Sequence, residues 1–411
     1  MTYLEYKDAV KLSLDHAEAT IKTELITTEN AVGRVLSKDI LCQKNLPSFN
    51  NSAMDGFAIK YSDAGKKLRV RATVFAGSVY EGALDDNECY KIMTGAKVPD
   101  DADTIIPIED TLGFDGEFVE IPSEVKQGNH FRAIAEEQAV GNVIFKQGEA
   151  INSSTVALLA SQGITVIEVF AKPSIAVLST GNELKEPWET ANEDQIYNAN
   201  SYAIVSMLKE HNFDATYVGV VPDSLDQSTE FISQLKSYDV VITTGGISMG
   251  DADFIAQAFI SNGLDVLFHG VKVKPGRPTM MGKMGNAYVM AMPGNPLTAL
   301  VNTYLLALPI IYKISGNNAF YHDFIYAKNI KAFKVNSGRA NVVLGMMSDG
   351  EFHVTRNNKY GSGMLTPLIE SNSVMITLDD KSGVEEGEVI KVILFGLHLI
   401  KKTEDTKYNQ G

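Results

Sequence analysis

Residues 238–253, Tyr-Asp-Val-Val-Ile-Thr-Thr-Gly-Gly-Ile-Ser-Met-Gly-Asp-Ala-Asp, combine the residue types that hold an anion. Val240, Val241 and Ile242 form a short β-branched run that reads as a buried strand, and Thr243 and Thr244 extend it. Gly245-Gly246 breaks that strand, Ser248 and Gly250 follow, and from Asp251 the residues become helix-compatible. Strand, glycine turn and helix start in that order make a cradle. Backbone N–H groups can approach a ligand closely, and the helix N-terminus adds partial positive charge. Asp251 and Asp253 fall in the first helical turn, where they either cap the helix or hold a metal beside the bound anion.

Other stretches carry chemistry-bearing side chains on glycine turns. Asn50-Asn51-Ser52-Ala53-Met54-Asp55-Gly56-Phe57 packs polar residues around an Asp-Gly pair, which on its own reads as a hairpin turn. Lys91 to Pro99 is a strand running into a Thr94-Gly95 loop, which alone reads as a structural turn. Ser179-Thr180-Gly181-Asn182-Glu183, Pro222-Asp223, Lys274-Pro275-Gly276-Arg277-Pro278 and Pro293-Gly294-Asn295-Pro296 each follow an apolar run.

The elements that must position these residues alternate. Over 173–312, strands at Ile175–Leu178, Ala215–Val221, Val240–Thr244 and Leu264–Val273 alternate with helices near 200–210 and 227–237. A hairpin at 280–291 and a helix at 297–312 follow, which implies a doubly wound, mostly parallel sheet. Glu183, Asp223, Gly245-Gly246, Lys274 and Asn295 then each lie just past the C-terminal end of a strand, the crest along which such sheets bind ligands. Carboxylates, an anion cradle and a Lys/Arg cluster are expected to share one rim.

The flanks differ in character. Tyr6, Val10, Leu14, Ala17 and Ile21 are spaced as one face of a helix over 5–22. Residues 43–139 show short strand-like runs (57–59, 68–75, 89–93, 118–121) between Gly, Asp and Pro turns, and read as an inserted β-rich domain. A helix over 153–162, ended by Gly163, precedes a further strand. Residues 326–400 return to β character and suggest a small terminal barrel; the polar residues from Lys401 are expected to fray. The fold class is α/β multidomain. The division is 1–42 with 140–170 (linking and dimerisation), 43–139 (inserted β-rich), 171–325 (α/β) and 326–411 (barrel).

The 411 residues carry 36 Lys and Arg against 51 Asp and Glu, a net charge of −15, which argues against nucleic acid or an anionic membrane as partner. Local basic clusters still permit a small anionic substrate. Two cysteines, Cys42 and Cys89, form neither a metal-ligand spacing nor a disulfide framework, so a reducing compartment is expected. The first residues lack the apolar segment of a signal peptide, and a cytoplasmic location is expected. The apolar stretch around 305–311 reads as a buried helix rather than a membrane span.

Pro47-x-x-x-Asn51-Ser52-Ala53-Met54-Asp55-Gly56-Phe57-Ala58, Ile92-Met93-Thr94-Gly95-Ala96, Ser179-Thr180-Gly181-Asn182-Glu183-Leu184, Gly245-Gly246-Ile247-Ser248-Met249-Gly250 and the two Pro-Gly motifs at 274–278 and 293–296 recur together in one family. In this set and order, over nearly the whole length, the chain resembles the molybdopterin molybdenumtransferases, whose module also forms the E domain of gephyrin. The resemblance implies four domains, a homodimer with clefts shared between subunits, and a reaction. Adenylylated molybdopterin and molybdate become molybdenum cofactor, AMP is released, and Mg²⁺ assists. It implies that Asp55, Asp223 and Asp253 are essential carboxylates, and that Glu183 and Asp253 hold the divalent metal. Thr94, Gly245, Gly246 and Ser248 match its nucleotide and pterin contacts. Lys274, Pro275, Thr298, Arg339 and Ser362 match its molybdate surroundings, with Arg277, Pro293 and Asn295 counted among the substrate-binding positions. Two departures stand out: Arg132-Ala133-Ile134-Ala135-Glu136-Glu137 replaces the family's Arg-x-x-Gly-Glu-Asp, and Phe57 replaces a commoner tyrosine. A pterin-binding scaffold without insertion chemistry is the alternative, but such a scaffold has no need of the whole carboxylate set.

Overall fold

The computed structural model describes residues 3–78, 80, 82–222, 224–246 and 254–395. Asp223, Ser248, Asp251, Asp253 and the tail from Lys401 lie outside the described residues. The chain divides into two compact units.

One unit comprises Lys38–Gln147 and Ser154–Thr165. Its main sheet has six strands in the order Thr104–Pro107, Gly56–Ile59, Glu88–Ile92, Lys67–Val74, Phe118–Glu120 and Gly113–Phe114. Phe57 and Ile59 enter one core cluster with Ile106 and Val119, and Ala58 enters another with Tyr90 and Ile105, the alternation a sheet buried on both faces requires. Asp55-Gly56 is not a hairpin turn here. Gly56 opens a strand, and a Cβ on it would stand 2.1 Å from the Ile106 carbonyl oxygen, so only glycine admits the neighbouring strand.

The other unit comprises Met1–Ser37, Gly148–Ser153 and Val166–Gly411. Its α/β sheet consists of β1 (Ile175–Thr180), β2 (Ala215–Val221), β3 (Val240–Thr244), β4 (Leu264–His269), β5 (Met280–Met284) and β6 (Ala287–Met292). The order is β2-β1-β3-β6-β5-β4, with β2, β1, β3 and β6 parallel and β5 antiparallel to both its neighbours. Helices α1 (Asn200–Glu210), α2 (Leu225–Ser233), α3 (Phe254–Ser261) and α4 (Pro296–Ile314) connect or flank these strands. The strand residues alternate by face. Ile175, Val177, Val240, Ile242 and Met290 pack with α1, α4 and the N-terminal helix; Ala176, Leu178, Val241 and Val289 pack with α2 and α3. The sheet is doubly wound, as the alternating pattern implies.

Three details differ from the sequence reading. The first helix is Tyr6–Asp15, closed by His16, whose backbone N–H reaches Leu12 and Leu14; Ile21 is 94% exposed. Helical spacing continued by chance into residues that are not helical. The run 264–273 is two strands, because Gly270 at φ 109° turns the chain out of the sheet. Val271–Lys274 then joins a second sheet, lying parallel to Ala340–Ser348 with Val273 opposite Ala340 and Lys274 opposite Asn341. Helix α4 is long and apolar enough to cross a membrane, yet most of it is buried in the fold, and it relaxes into a π-turn at Thr303–Ala307.

The C-terminal strands close on themselves. Ala340–Ser348, Glu351–Val354, Ile325–Asn329, Val389–Leu394 and Ser373–Ile376 pair in that order, and the last pairs back to the first, a five-stranded barrel around Val343, Phe352, Met375, Ile390 and Val392.

Candidate functional site

Two adjoining cavities open in the α/β unit. The crest cavity, about 530 Å³, lies at the C-terminal ends of β1, β3 and β6 and is lined by Thr180, Gly181, Glu183, Tyr197, Asn198, Asn200, Gly245, Gly246, Pro293 and Asn295, among others. Gly245 and Gly246 hold φ of 85° and 62°, the left-handed region open to glycine. A Cβ on Gly246 would meet Ile255 and Thr180 side-chain atoms at 2.6 and 2.7 Å, and one on Gly294 would stand 3.4 Å from the Gly245 Cα. Bare backbone therefore faces the cavity from two turns. Gly246→Ala is expected to cost about 2 kcal/mol, from the left-handed φ and the overlap with Ile255. It should lower the melting temperature by several degrees; a wild-type melt would mean the turn is not held as described.

Glu183 is exposed, and its carboxylate folds back over Gly181, where a Cβ would stand 2.6 Å from both oxygens. A carboxylate so presented fits Mg²⁺, which takes hard oxygens and often only one or two protein carboxylates, with waters and phosphate oxygens completing its shell. Among the described residues no cluster of three or more His, Cys, Asp or Glu could hold a metal.

The second cavity, about 540 Å³, shares Pro278, Pro293 and Asn295 with the first. Lys274, Arg277, Lys334 and Arg339 line it with Pro275, Thr298, Asn336, Asn358, Tyr360 and Ser362, and no carboxylate is among its described lining residues. Four cations with no carboxylate among the described lining residues make a local anion trap in an acidic chain. The parallel pairing of Val273 with Ala340 sets Lys274 in register with Asn341, close in sequence to Arg339. The 274–279 turn is fixed from α4: Asn302 Nδ2 donates to Thr279 Oγ1 at 2.8 Å, and Gly276, at φ 119°, leaves room for that amide. Asn295 takes the N-cap position of α4 without capping it; its Nδ2 donates instead to Ser362 Oγ at 2.9 Å. Thr298 is 2% exposed, and its hydroxyl has no partner among the described residues.

Asp55 and Thr94 meet in the other unit. Thr94 N–H and Oγ1 donate to Asp55 Oδ1 at 2.6 and 2.8 Å, and both donors hold the carboxyl below the usual carboxylate range. Gly95 at φ 78° makes the turn that aims Thr94, with its N–H on the Ser52 carbonyl.

Three family models cover the chain: the MoeA N-terminal region (domain I and II) over residues 4–163, a probable molybdopterin binding domain over 176–313, and the MoeA C-terminal region (domain IV) over 326–395. The molybdopterin molybdenumtransferase of Haemophilus influenzae is 32% identical over 410 residues, spanning 95% of this chain and 100% of that protein. The chain belongs to the molybdopterin molybdenumtransferase family. The Bacillus subtilis molybdopterin molybdenumtransferase is 28% identical over 392 residues, 92% of this chain and 91% of its own. A crystal structure of the Pyrococcus horikoshii molybdopterin biosynthesis moeA protein superposes with a TM-score of 0.84 at 26% identity, over 96% of this chain and 100% of that one.

Within this molybdopterin molybdenumtransferase fold, Glu183, Gly245, Gly246, Pro293 and Asn295 gather at the crest cavity. Lys274, Pro275, Arg277, Thr298, Arg339 and Ser362 gather at the cation-lined one. Lys274 reaches it from the second sheet and not from the crest. The sequence reading missed Lys334, which sits on a two-residue strand, and Asn302, Tyr197 and Asn198, whose neighbours lie far off in the chain and leave no local signal.

Proposed function

We propose that this molybdenum cofactor biosynthesis enzyme transfers molybdenum from molybdate to adenylylated molybdopterin, with Mg²⁺, and releases AMP. The observation that carries this reading is the pair of adjoining cavities. A glycine-walled crest cavity suits a nucleotide phosphate, and a cation-lined one suits a tetrahedral dianion, with Pro278, Pro293 and Asn295 common to both walls.

The residues divide the work by chemistry. Backbone at Gly245, Gly246 and Gly294 receives the phosphates, and Glu183 with Asp253 would hold Mg²⁺, which would neutralise phosphate charge as the adenylyl bond breaks. Lys274, Arg277 and Arg339, with the Ser362 and Thr298 hydroxyls, receive molybdate. Asp55, kept ionised by Thr94, serves with Asp223 and Asp253 as an essential carboxylate. No protein nucleophile is required, since positioning and charge neutralisation supply most of what phosphoryl cleavage needs. The pterin's own dithiolene sulfurs bind the metal being transferred.

The same reading carries a homodimer with shared clefts, the four-domain division at 1–42 with 140–170, 43–139, 171–325 and 326–411, and a cytoplasmic, reducing setting for the free thiols Cys42 and Cys89. Purified protein given adenylylated molybdopterin, molybdate and Mg²⁺ is expected to release one AMP per cofactor formed, and chelation of Mg²⁺ should stop it reversibly. Pterin binding without AMP release would leave a scaffold instead of an enzyme.

A further inference from the structure

We propose that Tyr217 and Glu186 are positioning residues that fasten the flap carrying Glu183 over the crest cavity. This rests on the assignment of that cavity to the adenylylated pterin and Mg²⁺. The flap is the excursion between β1 and α1, and its own structure is slight. Leu184–Lys185 pairs in parallel with Ile196–Tyr197, Ile196 N–H donates to the Glu183 carbonyl at 2.9 Å, and Asn198 N–H donates to the Lys185 carbonyl at 2.8 Å. A two-residue pair does not hold itself in water.

What holds it is a chain of side-chain hydrogen bonds rooted in the sheet. Asn198, where the flap rejoins α1, is 2% exposed. Its Oδ1 accepts from Ser179 Oγ on β1 at 3.0 Å, and its Nδ2 donates to Tyr217 Oη on β2 at 2.9 Å. Tyr217 Oη donates in turn to Glu186 Oε1, and Tyr202 Oη donates to Glu186 Oε2 at 2.8 Å. Each donor and acceptor in this chain has one consistent direction: amide to phenol to carboxylate. Burial and the carboxylate push both tyrosines upward, Tyr202 to about 12, so both stay O–H donors at any working pH. Glu186 thus ties the flap's outer strand to β2 and α1, while Asn198 ties its return strand to β1. Connected polar networks of this kind fix one geometry, because each link orients the next and the chain ends on the buried Asn198 amide and Ser179 hydroxyl.

The two tyrosines supply the control. Tyr217 links Glu186 to Asn198 and the cavity wall, whereas Tyr202 joins Glu186 to α1 and makes no hydrogen bond to Asn198 among those described. The chain's single tryptophan, Trp188, lies on the flap, 75% exposed and edge-on to Tyr202 at 6.3 Å, so its fluorescence anisotropy reports flap motion without any turnover. Tyr217→Phe is expected to lower Trp188 anisotropy and to raise the Mg²⁺ concentration for half-maximal AMP release at least fivefold. The KM for molybdate should stay within twofold. Tyr202→Phe should leave the Mg²⁺ midpoint within twofold of wild type. An unmoved anisotropy and Mg²⁺ midpoint in Tyr217→Phe overturns the proposal, as does an equal midpoint shift in both variants. If wild-type protein binds adenylylated molybdopterin but releases no AMP, the transfer reading fails, and the anisotropy arm alone still decides whether Tyr217 fastens the flap.

Discussion

Asp55→Ala is expected to slow AMP release by roughly 10²–10⁴-fold, the range a positioned catalytic carboxylate contributes. The fold should be untouched, since the side chain is exposed and its partner Thr94 is exposed with it. The pH dependence supplies a finer reading. Two Thr94 donors stabilise the ionised form, so the carboxyl stays charged below the ordinary carboxylate range. A depressed folded-state value means that function needing the carboxylate is present above that value and lost as pH falls through it. The acid limb of the rate profile should therefore lie below the ordinary aspartate range. Thr94→Val removes the hydroxyl donor and keeps the backbone one, and is expected to move that limb upward. Wild-type turnover in Asp55→Ala would show that the carboxylate only fastens the Thr94-Gly95 turn.

Lys274→Ala is expected to raise the molybdate concentration for half-maximal rate by about 10–100-fold, the worth of one charge-assisted hydrogen bond to an anion. The KM for adenylylated molybdopterin should change less than twofold, because the lysine lines the cation cavity and not the crest cavity. Lys274 is exposed, so the effect should shrink as ionic strength rises. Equal loss for both substrates would make the lysine a general phosphate attractor. At molybdate too dilute for Lys274→Ala alone to turn over, the same variant tests the shared-cleft dimer: mixed with Asp55→Ala subunits, it should regain up to half of normal activity on subunit exchange. Failure to recover despite exchange would mean that Asp55 serves the cavities of its own chain.

Much of the α/β sheet is legible before any coordinates. Alternation at Ile175 to Leu178 and the run Val240 to Ile242 must be buried on both faces, and a strand covered on both faces needs helices above and below. Residues 200–210 and 215–221 show their element bounds by local spacing alone. The glycine turn after Thr244 is likewise local, since left-handed φ at Gly245 and Gly246 is written in the residue type.

What depends on partners distant in the chain is not legible. The helical period from Tyr6 runs on to Ile21 in the sequence, but Ile21 is 94% exposed and the helix stops at Asp15. Asp55-Gly56 has the signature of a hairpin, yet the glycine is required because the strand at Ile106 presses on it. Lys274 leaves the crest because Gly270 redirects the chain, and it meets the Arg339 region only through a parallel pairing of Val273 with Ala340. The links from Glu186 through Tyr217 to Asn198 and Ser179 join separate elements, so no spacing records them. The sequence by itself determined which residue types could bind anions and a hard cation, because that chemistry resides in side chains and local turns. Only the tertiary structure decided which of them share a cavity, because long-range pairing and burial set those distances.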